Sequence, residues 1–529
     1  MNLARASGLI AAGTLVSRLT GLVRTIVLVS AIGAIGAASD AFYVANQLPN
    51  TVLTLISTGL LTGVIVPRVV EASTQADGGR RFLPKLLTVG ASILIATTVV
   101  SMLIAPWLIW VVAGGFDEQT RELATAFAYW CLPQIFFYGM FALIGESLNA
   151  RRIFAPYAWA PVVNNLVSIA GFAVFIAVFG GNRNILQGWS AESIALVGGT
   201  ATLGIVVQTA VLAVFWSRSG VSLRPDFRWR GVGFGSMGGL ATWTLGMVLV
   251  TLGAGIVQVR TMTAASGDNA SVAVWGNAWL VYMVPYALIV LSIGTPYFTR
   301  ISEHAAAGRH REVLDDIGSA TRTLGLFVVI ASIALIVSAA PASRIFTNSA
   351  ADALLAAPVL VAFLISLTPM AVLFIVQRTF YAYGDTRTPF LFTLAQGVLV
   401  VILTVLAATV PKDYLTATVA AVQTFCGILQ LVLATWLLRR KIGPLGLARS
   451  MRALLRFTLA AIPAGALGYS IYAWSGGKDG WMLQSVIAGA VGTFLICAVS
   501  GMTYAALLTA FRAPEIGTAV ALVRAHFSR

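Results

Sequence analysis

The chain has 529 residues, 58% of them apolar and only 10% charged, with a mean hydropathy of +0.88, where soluble proteins carry about 25% charged residues. That composition excludes a soluble enzyme. The 34 Lys and Arg exceed the 19 Asp and Glu by 15, and in so apolar a chain this surplus reads as a membrane-orientation signal before it reads as a surface for an anionic partner such as nucleic acid.

Apolar runs of about 20 residues or more recur along the chain, each able to cross a hydrocarbon core of about 30 Å as a helix. Fourteen helices are predicted, over 7–32, 40–66, 83–113, 121–148, 157–180, 191–216, 235–262, 270–294, 318–340, 352–378, 390–410, 413–438, 452–474 and 481–511. The first run is too long for a signal-peptide core and lacks an A-x-A exit, so it reads as a retained helix. The fold class is therefore an all-α polytopic membrane protein. With fourteen crossings, 26 of the basic residues fall on one side: Arg5, the loops and flanks around 68–85, 151–152, 218–230, 300–322, 378–387 and 439–456, and the tail 512–529. The other loops hold only Arg121, Arg183, Arg344, Lys412 and Lys478. The positive-inside rule then puts both termini in the cytoplasm.

Landmarks recur at a nearly constant offset. Pro49 in helix 2 maps to Pro285 in helix 8 and Arg24 in helix 1 to Arg260 in helix 7, both by 236 residues, while Pro156 maps to Pro389 by 233. Six helices fit one period, so the expected organisation is an N-lobe over 1–220 (helices 1–6), a C-lobe over 221–440 (helices 7–12), and helices 13 and 14 with a cytoplasmic tail over 441–529. An even number of helices per repeat keeps the lobes parallel, the transporter class with a substrate site between its repeats.

Three arginines fall inside helices. Arg18 lies near mid-depth of helix 1 and Arg24 about 9 Å further out, about 120° around the axis, with Gly21 between them to allow a bend or close approach. An arginine at the bilayer centre costs about 2.5–3.5 kcal/mol on insertion scales, so such groups face a watery cavity or a partner. Arg260, near the outer end of helix 7, can alternatively snorkel to the interface. Carboxylates are sparse: Asp40 opens helix 2, as a helix cap and dipole partner or as an ion partner of Arg24, and Glu146 ends helix 4. A carrier of cations needs buried acids; an excess of buried arginine suits a phosphate or carboxylate cargo.

Catalytic chemistry has no visible home. Cys131, Cys426 and Cys497 show no C-x-x-C spacing, His304, His310 and His526 lie in polar segments or the tail, and there is no phosphate loop, G-x-S-x-G elbow or kinase signature. No enzyme activity, cofactor or metal is expected.

The strings Ser17-Arg18-Leu19-Thr20-Gly21-Leu22-Val23-Arg24, Gly33-Ala34-Ile35-Gly36 and Asp40-Ala41-Phe42-Tyr43-Val44-Ala45-Asn46-Gln47-Leu48-Pro49-Asn50 resemble the opening of the MurJ/MviN lipid II flippases, of the multidrug/oligosaccharidyl-lipid/polysaccharide exporter superfamily. Asn149 to Pro156, Ala160-Pro161-Val162-Val163-Asn164-Asn165 and Tyr383-Gly384-Asp385-Thr386-Arg387-Thr388-Pro389 fall where that family carries similar strings, Thr388 and Pro389 also fitting the N-cap and N1 positions of helix 11. The resemblance spans the chain and implies a flippase that moves lipid-linked peptidoglycan precursor from the inner to the outer leaflet by alternating access.

It carries the family's cavity arginines onto Arg18 and Arg24 and its helix 2 aspartate onto Asp40. The expected substrate-binding set is Arg18, Arg24, Asp40, Asn50, Arg260 and Trp279. Three family charges are missing: Leu53 and its neighbours stand where an arginine follows Leu-Pro-Asn, Thr58 replaces a glutamate, and Trp279 the helix 8 arginine. Arg260 could substitute for that last group, and Trp279 could stack on a sugar or serve as an interface aromatic. The interiors of helices 7, 11 and 12 hold no carboxylate, so no sodium site is expected. Helices 13 and 14, uncharged over 457–474 and 481–511, are expected to give an apolar groove for the lipid tail, or alternatively to pack against the second lobe. The expected partners are the anionic lipid-linked glycan, membrane lipid and cell-wall synthesis and division proteins, with no nucleic acid, and the chain is expected to be a monomer in the inner membrane. A carrier of another anionic glycolipid is the alternative; a non-transporting cell-wall scaffold would have no use for Arg18, Arg24 and Asp40.

Overall fold

In hydrocarbon every backbone N–H and C=O must be satisfied within the protein, so apolar runs of this length fold as helices. The computed structural model describes residues 3–56, 82–151, 153–218, 226–227, 239–512, 515 and 517, and no strand occurs among them. Contacts divide the chain into two compact units, Met1–Asp268 and Asn269–Arg529. The first holds α1 (Leu3–Ile32), α2 (Ala37–Ile56), α3 (Phe82–Leu103, resumed as Ala105–Val112), α4 (Glu118–Cys131, resumed as Gln134–Ala150), α5 (Ala155–Phe179), α6 (Ala191–Arg218) and α7 (Gly239–Met262). The second holds α8 (Val272–Pro285, a π-turn Tyr286–Leu291, then Ser292–Ala306), α9 (His310–Val337), a short helix Ala339–Arg344, α10 (Ala350–Ile365, resumed as Leu367–Ala382), α11 (Arg387–Ala407), α12 (Lys412–Ile442), α13 (Ala448–Trp474) and α14 (Val486–Ala510).

Over its described residues each predicted run lies mainly on one of these helices, 235–238 of the seventh run lying outside the described residues. Among the described residues thirteen spans, α1 and α3 to α14, are long and apolar enough to cross a membrane; α2 is described for 20 residues, and the rest of its predicted run, 57–66 with Thr58, lies outside the described residues. So do Arg68, Arg80, Arg81, Arg152, Arg224, Arg228, Arg230, His526 and the tail arginines Arg524 and Arg529.

The helix pairings repeat between the units. In the first, α2 and α3 pack on α4, α4 packs on α6, and α5 on α6; in the second, α8 and α9 pack on α10, α10 on α12, and α11 on α12. This is the six-helix period that the proline landmarks suggested. The first helix of each period differs. α1 lies along α5, whereas the contacts of α7 are with α2 and the second half of α3, and α7 falls in the first of the two contact units. The physical reason is at its C-terminal end, where Arg260 and Thr263 bond the end of α3 (below).

Small residues set the closest approaches, as is usual where helices associate without water to drive them. A Cβ on Gly204 of α6 would collide with Asn164 and Ser168 of α5. The Gly33-Ala34-Ile35-Gly36 corner has positive φ at both glycines (+86° and +149°) and presses on Asn184, which donates from Nδ2 to the Ile35 carbonyl (3.0 Å) and accepts from the Ala38 N–H (3.1 Å). At the start of α11 the N-cap residue is Thr386 rather than Thr388, and the first turn is satisfied by Asp385, whose carboxylate accepts from the Thr388 N–H (2.9 Å) and hydroxyl (2.8 Å). Pro389 is the third residue of the helix.

α13 and α14 pack on α9. Phe457, Ala460, Ala461 and Ala464 of α13 form one core with Leu326 and Val329 of α9 and with Tyr504 and Leu508 of α14, and the Tyr504 hydroxyl donates to the Leu326 carbonyl (2.9 Å).

Candidate functional site

α1 is held from α5. Asn165 Nδ2 donates to the Ser17 carbonyl (2.9 Å) and to Thr20 Oγ1 (3.0 Å). The clamp closes on the turn that separates Arg18 from Arg24. Arg18 is exposed and Arg24 half-buried; among the described residues neither has a hydrogen bond or an ion pair, and the phenol of Tyr138 on α4 lies within electrostatic range of Arg24. A guanidinium taken this far from water without an acid is a standing demand for an anion.

Asp40 is 1% exposed and lies in the first turn of α2, where the helix dipole favours a carboxylate, rather than at its cap. Its Oδ2 accepts from the Ser266 hydroxyl (2.7 Å), and no ion pair joins it to Arg24 among the described residues. One face of α2 continues as a polar seam: Gln134 of α4 donates to Asn46 Oδ1 (3.2 Å) and to Thr202 Oγ1 of α6 (3.0 Å). Asn50, one turn on and just after Pro49, is exposed. Leu53, where the family charge was missing, packs against the apolar cluster of Leu83, Leu86, Leu143 and Trp216.

Arg260 is committed elsewhere. Its Nη1 donates to the carbonyls of Trp110 (3.0 Å) and Val111 (3.2 Å), its guanidinium lies 5.0 Å from the Trp110 ring centre, and Gly115 N–H donates to Thr263 Oγ1 (3.2 Å). A cation on the last carbonyls of a helix satisfies groups that have no partner within the helix and opposes its dipole. In this structure Arg260 is thus the C-terminal cap of α3.

In the second unit Trp279 is 46% exposed, with its ring stacked on Tyr282 (centroids 5.2 Å apart, 23° between planes). The same unit has an open apolar groove of about 720 Å³, walled by α9, α10, α12 and α13 through Val337, Val361, Ala421, Phe425, Tyr469 and Tyr472. The groove expected of helices 13 and 14 has α13 as one wall; α14 does not line it.

Among the described residues no three His, Cys, Asp or Glu side chains gather as a metal-binding group, and the cysteines are free thiols. Of the expected set, Arg18, Arg24, Asp40, Asn50 and Arg260 lie in the first unit and Trp279 in the second. Sequence reasoning quoted Asn165 without giving it a role and missed Tyr138 and Ser266. Asn165 had a signal, a polar residue in an apolar span; Tyr138 and Ser266 had none that distinguishes them from other helix and loop residues.

Arginines without acid partners, on membrane-spanning helices whose pairings recur after six helices, define a multi-pass membrane protein of the transporter class. A family model described as lipid II flippase MurJ matches residues 28–492, and the chain belongs to that family. A probable lipid II flippase MurJ of Rhizobium tropici is 24% identical over 477 residues, covering 87% of this chain and 86% of that protein. The lipid II flippase MurJ of Burkholderia cenocepacia is 29% identical over 415 residues, 76% of this chain and 77% of that one. Among solved structures, lipid II flippase MurJ in an inward closed conformation aligns with a TM-score of 0.70 at 18% identity, covering 93% of this chain and 98% of that chain. An inward-facing multidrug resistance MATE family transporter aligns at 0.61 and 15%, covering 82% and 96%. At those identities the structures report a shared fold.

Proposed function

We infer that this protein flips lipid II, the lipid-linked peptidoglycan precursor, from the inner to the outer leaflet of the bacterial inner membrane by alternating access, with both termini cytoplasmic and no covalent chemistry on the cargo. The observation that carries the reading is the pair Arg18 and Arg24, unpaired on a helix fixed by Asn165 in a chain that belongs to the flippase family over most of its length. Two phosphates leaving water need cationic hydrogen-bond donors, and a guanidinium offers a planar fork to each. Asp40 and Asn50 on α2 add polar contacts to the same path; Arg260 serves it indirectly by fixing α3 to α7.

The lipid tail has the opposite requirement. Each buried CH₂ is worth about 0.8 kcal/mol, so the tail stays in lipid or along an apolar surface while the headgroup crosses. The groove beside α13 is such a surface.

Depletion of the protein in its native host, with lipid II measured on each leaflet, tests the reading. Inward-facing lipid II should accumulate while the outer pool falls. An unchanged distribution would remove lipid II as cargo.

A further inference from the structure

α8 presents aromatic side chains at 275, 279, 282 and 286, a helical spacing that puts them on one face. Trp279 stacks on Tyr282, and Tyr282 on Tyr286 with centroids 6.0 Å apart and 22° between planes. Behind them Phe363 of α10, 1% exposed, lies nearly perpendicular to Trp275 (4.6 Å, 69°) and Trp279 (5.6 Å, 67°). The indole of Trp279 is therefore fixed by two neighbours while 46% of the residue stays open. Tyr286 begins the π-turn that follows Pro285, a local geometry that recurs at functional sites.

Beyond Tyr286, within its electrostatic range, is Arg378 of α10. Its guanidinium lies among the rings of Phe374 (5.0 Å), Phe298 (5.1 Å) and Tyr381 (5.8 Å), and among the described residues no carboxylate pairs with it. A rigid open indole, followed two helical turns along the same face by a phenol and a guanidinium, has a specific complement. The C–H bonds on one side of a pyranose ring make a flat apolar face that stacks on an electron-rich aromatic ring, while the oxygens around its rim accept hydrogen bonds.

We propose that this stripe is a glycan-binding face: Trp279 stacks one pyranose ring of the headgroup, and Tyr286 and Arg378, further along the face, donate hydrogen bonds to hydroxyl or carboxylate oxygens of the rest of the headgroup. The inference rests on the flippase reading in that the glycan is the headgroup of the cargo. A platform already held in place loses little freedom on binding, so its contribution appears as preference for sugar-bearing lipid over the same lipid without sugar.

The test uses the full chain in nanodiscs and three polyprenyl diphosphates of one tail length, bare, with one sugar, and with the disaccharide, binding being quantified by native mass spectrometry. The wild type should bind the disaccharide lipid about tenfold more tightly than the bare one; Trp279→Ala should bring that ratio within about twofold, and Trp279→Phe should keep most of it. If the alanine variant binds no probe, Trp279→Leu, equally without a π face, takes its place with the same expected ratio. A ratio unchanged by loss of the indole overturns the glycan face and leaves the flippase reading standing. A wild type with no preference for sugar overturns the face as well, and the flippase reading is then decided separately by lipid II on the two leaflets.

Discussion

Asn165 does for α1 what no residue of that helix can do for itself: it reaches across from α5 to fix the Ser17–Thr20 turn on which both arginines depend. Interhelical hydrogen bonds of this kind contribute about 0.6 kcal/mol each in membrane proteins. Asn165→Ala is expected to lower stability by about 1 kcal/mol and flipping by severalfold, with Arg18 and Arg24 untouched. Thermal melting of the purified protein beside leaflet-resolved lipid II in cells checks this; normal flipping at a lowered melting temperature would show that the clamp stabilises without positioning. The residue scale is also where sequence reasoning was weakest. Arg260 was legible as a charge inside a helix, but its choice between a cavity and the end of α3 depends on where Trp110 and Val111 fall in space.

At the scale of elements, the sequence showed where helices are but not where they break. α3, α4 and α10 each read as one run and are each interrupted, at Ile104, at Leu132 and Pro133, and at Ser366. Every interruption lies at or just before a proline, Pro106, Pro133 or Pro369, because the ring removes an N–H and crowds the carbonyl four residues back. Several helices also outrun their apolar stretch: α9 starts at His310 and α12 continues to Ile442, since hydropathy marks the membrane-crossing part while Lys, Arg and Glu prolong a helix readily. The α10–α11 corner offers a test with a defined pH dependence. Burial raises the Asp385 carboxyl, but the Lys441 ammonium and the Thr388 N–H and hydroxyl outweigh it and hold its pKa below the usual carboxylate range. A depressed carboxylate stabilises the fold above its unfolded pKa, about 3.9, and loses that contribution as pH falls through the lower folded value. Asp385→Asn keeps a capping oxygen but loses the ion pair with Lys441, and should therefore cost about 0.5 kcal/mol at neutral pH. Unfolding midpoints of the two proteins should converge only in acid below that range; a gap already closing near pH 6 would contradict the assignment.

For the molecule as a whole, composition, period and charge asymmetry carried the polytopic helical fold, and the helix 1 and 2 strings carried the family. Those strings are legible because they do local work: the Gly33 to Gly36 corner needs positive φ against Asn184, and Asp40 occupies a first turn. What stayed hidden was non-local, namely the grouping of α7 with the first unit and the groove walled by four helices. The central claim is that the unpaired arginines of α1 take the diphosphate while the headgroup crosses. The measurement that tests it most directly is outer-leaflet lipid II in a depleted host supplied with wild type, Arg24→Ala or Arg24→Lys at equal membrane levels. The account predicts full restoration by wild type, none by alanine, and partial restoration by lysine, whose ammonium keeps the charge but lacks the planar fork. Full restoration by the alanine variant would contradict it.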